Sequence, residues 1–462
     1  MSQNNLILGI SLLMATTASL AAADETRPNV VFLLVDDLGR EDCGFMGGTE
    51  INTPHIDKLA AAGGKLDAFY VQPLCSPTRA ALLTGRYPMR YGLQVGVVKP
   101  WAQYGLPLDE RTLAQDLQAA GYATGVFGKW HLGHFAQEYL PTRRGFDRQY
   151  GHYNGALDYF THEREGGFDW HEDDKVCRDE GYSTTLIGQR AAQFVTENAG
   201  KKPFFLYVPF NAVHAPYQPP KNGTAAYPNL NGQRQNYAAM LTATDDAIGA
   251  IVSAVEKAGV RSNTLFVFSS DNGGPAPGRV TDNGDFRGAK GGLYEGGVRV
   301  AAFATWDGHI PAGSTIAEPM HIVDWRPTLQ KLCRVQSDDS LPMDGVNIWP
   351  TLVDGAASPH KIILLNSTPK AGAVRTGDWK LIVSRAAQNG KKKQARRRGQ
   401  LVQLFDLRND PYEKVNLANE QPDKVKELRR ALARLADEAV PPKGGGAKPR
   451  SFVAPAVWGE AG

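Results

Sequence analysis

Four short apolar runs, each stopped by polar residues, limit what this chain can fold into. Asn29–Val35 reads NVVFLLV and ends in Asp36-Asp37. Residues 123–127 lead into Gly128-Lys129-Trp130-His131, residues 203–210 lead toward His214, and Thr264–Ser270 ends in Asp271-Asn272. An apolar run of this length without polar alternation is a strand buried on both faces, as in a parallel sheet. Helical patterns separate the runs. Thr53-Pro54 opens one that reaches about residue 62, with Thr53 as cap and Pro54 at the first position. Others are expected over 108–120, Ser183–Asn198, 235–258 and 323–332, with further strands over 66–71 and 298–305. This alternation predicts an α/β sheet covered by helices on both faces, with its site at the carboxyl edge.

The pattern changes near residue 359. Residues 362–365, 372–375, 379–384 and 401–406 read as short antiparallel strands, followed by a helix over 422–439. They predict a smaller C-terminal α+β lobe with a short antiparallel sheet. Residues 135–182 are rich in Gly, Tyr, His and acids and read as loop. Residues 273–297 are Gly-rich and carry Lys290, so their backbone can approach a ligand closely. At the start, residues 6–20 are mostly apolar or small, and Ser19-Leu20-Ala21-Ala22-Ala23 has the form of a cleavage site. Residues 1–23 therefore read as an export signal, giving a periplasmic or secreted protein. A membrane anchor is the other reading of this run, but it is short and rich in Ser, Thr and Ala. No later segment reads as a membrane span. The expected division is 1–23 signal, 24–358 main domain, 359–440 lobe and 441–462 mobile tail.

Lys and Arg number 51 against 48 Asp and Glu, a balance that does not argue for nucleic acid. One dense basic run, Lys391-Lys392-Lys393-Gln394-Ala395-Arg396-Arg397-Arg398, reads as a solvated hairpin loop, or else as a contact for an anionic polymer. Cys43, Cys75, Cys177 and Cys333 are too irregularly spaced for a zinc site. At most one disulfide can form if Cys75 is modified.

Cys75-Ser76-Pro77-Thr78-Arg79 opens a helix: Pro77 suits its first turn, Ala80 to Leu83 extend it and Gly85 stops it. Backbone N–H groups at such an end favour negative charge, and Arg79 lies one turn on. Cys75 is then either an activated thiol or a buried structural one. Two strand tips add matched chemistry. Asp36, Asp37, Asp271 and Asn272 are four oxygen donors without Cys or His, the set of a hard cation, Ca²⁺ before Mg²⁺. Each pair alone could be a turn or cap. Arg79, Lys129, His131, His214 and Lys290 supply the cations and proton carriers that a bound oxyanion and a leaving alkoxide need.

The stretches QPLCSPTRAALLTGRYPMRYGLQ, GKWHLG, LPTRRGFD, THER (Thr161 to Arg164), FSSDNGG and EGGVR resemble the formylglycine-dependent sulfatases, and most of all their N-acetylgalactosamine-4-sulfatase group. The resemblance implies an alkaline-phosphatase-like fold and release of sulfate from a sulfated carbohydrate. It implies that a formylglycine-generating enzyme converts Cys75 to formylglycine, whose hydrate attacks sulfur. Asp36, Asp37, Asp271 and Asn272 would hold Ca²⁺ together with the residue at 75. Arg79 would set the hydrate, and Lys129 and Lys290 would neutralise sulfate oxygens. His214, helped by Lys290, would protonate the leaving oxygen, and His131 would take a proton from the remaining hydroxyl. Thr78 stands where the family often has Ser, and keeps the hydroxyl. The expected substrate is 4-O-sulfated N-acetylgalactosamine of chondroitin- or dermatan-type glycans, the alternatives being a sulfated galactan or fucan. Loops 91–106, 152–175 and 276–289, with Trp101, Tyr153, Tyr159, His162 and Arg287, are expected to choose among them. A phosphatase or phosphodiesterase of the same superfamily is the rival activity. Such enzymes typically use two transition metals and extra His and Asp ligands, whereas Asp271-Asn272 resembles the single-metal pattern. A glycan binder without activity would be expected to have lost a catalytic residue, and none is missing.

Overall fold

The computed structural model describes residues 27–336, 341–385 and 400–460. The expected export signal and the basic run at 391–398 lie outside the described residues. Asn29–Val35 forms the centre of a ten-stranded sheet. Phe204–Pro209 and Thr264–Ser270 flank it in parallel, with Phe32 opposite Tyr207 on one side and Val267 on the other. Ala123–Lys129 and then Arg148–His152 continue the parallel run. Beyond these the pairing turns antiparallel, with Ala302–Thr305 next to Thr264–Ser270 and His171–Glu172 next to Arg148–His152.

Successive side chains of a strand point to opposite faces, and here both faces are covered. Val30, Phe32 and Leu34 enter a core with Leu82, Leu113 and Trp325. Val31, Leu33 and Val35 enter a second core with Ile56, Ile187 and Ile248. Each such side chain contributes about 1.5–3 kcal/mol by its burial, which is why the strand has no polar position. Helices Ser183–Asn198 and Gly232–Lys257 pack together over the second core, and a Cβ on Gly188 would lie 2.7 Å from that of Ala247. Gly232–Lys257 is long and apolar enough to cross a membrane, contrary to the expectation that no later segment is, but it is a core helix and mostly buried.

Several bounds differ from the sequence reading. The helix expected over 108–120 is Leu113–Ala119, because Thr112 and Gln115 close a reciprocal cap that starts it late. The strand expected over 66–71 is two short ones, Gly64–Leu66 and Phe69–Tyr70. The strand expected over 298–305 begins only at Ala302, after a helical turn Glu295–Val298. Part of the supposed loop 135–182 joins the sheet as Arg148–His152, His171–Glu172 and Lys175–Val176.

Strands Ile363–Ser367, Ala371–Thr376, Trp379–Arg385 and Gln400–Asp406 form the expected antiparallel sheet in chain order, with helix Pro422–Ala436 against it. This lobe shares its apolar core with the large sheet: Leu364, Val374, Leu381 and Leu404 belong to the same cluster as Phe32 and Trp325. A buried polar knot also joins the two parts. Lys380 reaches Glu295 at 2.7 Å and Glu413 at 2.9 Å, and Tyr70 donates to Glu295 at 2.7 Å. Residues 441–460, in the expected mobile tail, bond to the large domain. Lys443 N–H donates to Gly92, and the amides of Phe168 and Trp458 bond to Ala456 and Phe168.

Candidate active site

The ends of the central strands converge on the N-terminus of helix Cys75–Thr84, all ten residues of which are buried. Leu74 is its N-cap residue and offers no side-chain cap, while Gly85 closes it at φ 66°. Cys75, Asp36 and Asp271 bring a sulfur and two carboxylate oxygens within 4.8 Å of one another. Asp37 follows Asp36 in a left-handed conformation, φ 61°, which turns the chain beneath the site. Asn272 donates to Asp37 Oδ1 at 2.7 Å, so the two strand tips are tied directly. Asp36 Oδ1 and Asn272 Oδ1 are buried with no hydrogen-bond partner.

Three cations face these carboxylates. Arg79 is fully buried and spans Asp36 at 3.1 Å and Asp271 at 2.9 Å, while its third nitrogen donates to the Lys129 carbonyl at 2.8 Å. Lys129 pairs with Asp36, and Lys290 pairs with Asp37 at 2.6 Å. Burial would push the Asp36 carboxyl up, but Lys129, His214, Arg79 and Lys290 together hold it well below the usual range. Burial and then Asp36 push the Asp271 carboxyl up to about 6, against Arg79 and Lys129. Lys290 is held charged by Asp37 despite its burial. Burial raises the Cys75 thiol as well, Lys129 and Lys290 only partly opposing it.

The two histidines are set differently. His131, at φ 58°, places Nε2 2.9 Å from the Val98 carbonyl. A carbonyl only accepts, so Nε2 carries the proton, and the buried Nδ1 has no partner. Burial first, then Lys129 and Arg79, keep this ring neutral well below its usual pKa. Ser76 holds the turn by donating to the His131 carbonyl at 2.9 Å. His214 is still 23% exposed, with Nδ1 2.6 Å from the Ala215 carbonyl and Nε2 3.6 Å from Asp37. Burial lowers its pKa, against the pull of Asp37 and Asp36.

A cavity of about 260 Å³ opens onto this cluster. Cys75, His131, His214 and Lys290 line it, so the structure brings these expected residues to one wall, with Lys129 and Arg79 behind. Two residues not singled out from sequence also line it, Lys99 and Arg164. The residues expected to choose the substrate do not. Tyr153, Tyr159 and His162 are buried, Trp101 packs on Phe452, and Arg287 lies over the Tyr294 ring and donates to the Glu413 carbonyl. Aromatic and charged residues in loops attract attention as surface contacts, and nothing in their spacing shows that they pack inward. The THER stretch was the one available pointer to Arg164. All four cysteines are free thiols, so no disulfide joins Cys43, Cys177 and Cys333.

A mostly parallel sheet whose strand ends hold carboxylates, lysines and histidines around one buried helix end defines a hydrolase site for an anionic ester. Residues 28–335 match the family model described as Sulfatase. The chain is 37% identical to arylsulfatase J of Mus musculus over 95% of its length and 81% of the relative's. It is 34% identical to N-acetylgalactosamine-6-sulfatase of Mus musculus, over 80% of this chain and 74% of that one. The crystal structure of Ps i-CgsB in complex with k-i-k-neocarrahexaose superposes with a TM-score of 0.81 at 32% identity, over 90% of this chain and 94% of that one. The chain belongs to the sulfatase family and is a sulfuric ester hydrolase.

Proposed function

We propose that this hydrolase releases sulfate from a sulfated carbohydrate with Ca²⁺ and a formylglycine made from Cys75. The observation that carries the reading is the place of Cys75, in the first turn of a buried helix and within 4.8 Å of the carboxylate oxygens of Asp36 and Asp271. A thiol raised by burial is a poor nucleophile, which fits its replacement by another group. Formylglycine at this position supplies, as its hydrate, an oxygen nucleophile and a second hydroxyl. The donors of Asp36, Asp37, Asp271 and Asn272 fit Ca²⁺: all are hard oxygens, and two of them are buried without a partner. They would hold the ion beside residue 75, where it supplies positive charge toward sulfate oxygens.

The chain's own residues then divide the work. Arg79 fixes Asp36 and Asp271 and so orients what stands at position 75. Lys129 and Lys290 neutralise sulfate oxygens. His214, with Nδ1 donating to the Ala215 carbonyl, can deliver a proton from Nε2 to the leaving sugar oxygen only as the imidazolium, a form that burial opposes and that Asp37 and Asp36 favour. His131, neutral and with Nδ1 free, accepts a proton from the hydroxyl at position 75.

The sequence resemblance favours 4-O-sulfated N-acetylgalactosamine, in chondroitin- or dermatan-type glycans. A sulfated galactan is the second reading, favoured by the similarity to the Ps i-CgsB complex with k-i-k-neocarrahexaose. Export through residues 1–23 and maturation by a formylglycine-generating enzyme belong to the same proposal. The test is sulfate release from a panel of sulfated disaccharides, by protein made with that enzyme and checked at Cys75 by peptide mass. Release from the 4-O-sulfated sugar is expected, and Cys75→Ala should abolish it. Release from another sulfated sugar alone moves the substrate and leaves the chemistry. Hydrolysis of phosphodiesters alone by the modified protein would overturn the reading.

A further inference from the structure

We propose that Arg164 and Lys99 form a second anion subsite in the mouth of the cavity, and that the C-terminal segment keeps it open. The subsite takes a carboxylate or a second sulfate on the sugar next to the scissile ester, so the preferred substrate is an oligosaccharide with two neighbouring anionic groups. This rests on the carbohydrate sulfatase reading and narrows it.

The charges in the cavity divide into two sets. Lys290 in its wall and Lys129 behind it are already paired with Asp37 and Asp36. Lys99 and Arg164 come from other loops, and no acidic residue lines the cavity with them. Among the described residues Lys99 has no ion pair. Arg164 has one, to Glu165 at 3.7 Å, and its Nε has no hydrogen-bond partner. Lys99 without an ion pair and Arg164 held only by the 3.7 Å pair leave a local positive excess beside the sulfate seat, which an anionic neighbour would answer. A guanidinium suits this because its fork matches a carboxylate or sulfate with two bonds.

The C-terminal segment controls this excess. Among the described residues Glu165 is the one carboxylate within ion-pair distance of Arg164, and Lys448 holds it at 2.7 Å, closer than Arg164 does. Trp458, almost fully buried, donates from Nε1 to the Arg164 carbonyl at 2.9 Å. Phe168 N–H donates to the Ala456 carbonyl and Trp458 N–H to the Phe168 carbonyl, which extends the Glu163–Arg164 and Gly167–Phe168 hairpin. On the Lys99 side, Lys443 N–H donates to Gly92, and Phe452 packs on Trp101. One segment thus ties down both loops that carry the subsite and competes for the carboxylate that would fill it.

The test compares kcat/KM for three substrates: a sulfated disaccharide with a neighbouring uronate, one with a neighbouring second sulfate, and 4-nitrophenyl sulfate. Arg164→Ala should lower the ratio of oligosaccharide to aryl ester at least tenfold, mostly through KM, and Arg164→Lys should restore part of it. Lys448→Ala, which frees Glu165 to pair with Arg164, should lower the same ratio severalfold. The oligosaccharide that loses more identifies the anion as carboxylate or sulfate. An unchanged ratio, or equal losses on all three substrates, overturns the subsite. Binding of the two oligosaccharides to Cys75→Ala, with and without Arg164→Ala, reads the subsite without turnover. Binding that depends on Arg164 in a protein that releases no sulfate upholds the subsite and rejects the function. Binding indifferent to Arg164 overturns the proposal.

Discussion

Arg79 answers two carboxylates with one guanidinium, both bonds fully buried. Removing one member of such a set leaves an uncompensated buried charge, at a cost of about 3–5 kcal/mol. The geometry is therefore a stability device, whatever it does in the proposed reaction. Three carboxylates, Asp36, Asp37 and Asp271, stand against Arg79, Lys129 and Lys290, so the cluster is balanced before any ion enters. A divalent cation added to it leaves two positive charges to meet a sulfate group. Ca²⁺ should accordingly bind the folded state alone and raise its melting temperature. Saturation at about 100 times Kd corresponds to about 2.7 kcal/mol. Chelation with EGTA should lower the melting temperature by several degrees, and added Ca²⁺ should restore it. Calorimetry showing no shift in either direction would remove the metal from the proposal.

At the scale of elements, the strands were legible because burial on two faces writes a continuous apolar run. Thr264–Ser270 has the expected bounds, and Asn29–Val35 needs no revision. The residues after each strand were legible for the same reason: a polar pair that ends a buried strand has to lie at the sheet edge. What sequence hid was long-range. Thr53 was expected to cap helix Pro54–Ala61, but its hydroxyl donates to Asp57 and accepts from Gly44. The cap comes instead from Asp245, 190 residues on, which accepts from His55 at 3.1 Å and Ile56 at 2.7 Å. No local pattern could announce a cap lent by another helix. Asp245→Ala should cost about 1–2 kcal/mol, the price of a lost N-cap. Urea unfolding would measure it, and a Thr53→Ala change of equal size by the same route would contradict the assignment. The loops that carry Lys99 and Arg164 were expected at the site, but which of their side chains reach the cavity was hidden, since only folding sets the loop at 96–100 beside the hairpin at 163–168.

Across the whole molecule, the polar knot at Glu295 joins the small lobe to the loop that carries Lys290. Burial would push Glu295 up, but Lys380, Arg299 and Arg375 hold it down to about 2. A carboxyl depressed on folding contributes stability above its unfolded value, about 4.5, and loses it as pH falls toward 2. Glu413 runs the other way, raised by burial, and takes up a proton first. The urea midpoint should therefore fall between pH 4.5 and 2, and a midpoint flat over that range would show that the knot does not hold the parts together. The helix Cys75–Thr84 has a consequence of another kind. Cys75 is 2% exposed and every residue of its helix is buried. Another protein cannot grip that stretch once the fold has closed over it. If Cys75 is converted as proposed, that chemistry would fall in the interval between synthesis and folding, and a chain that folds first would keep its thiol.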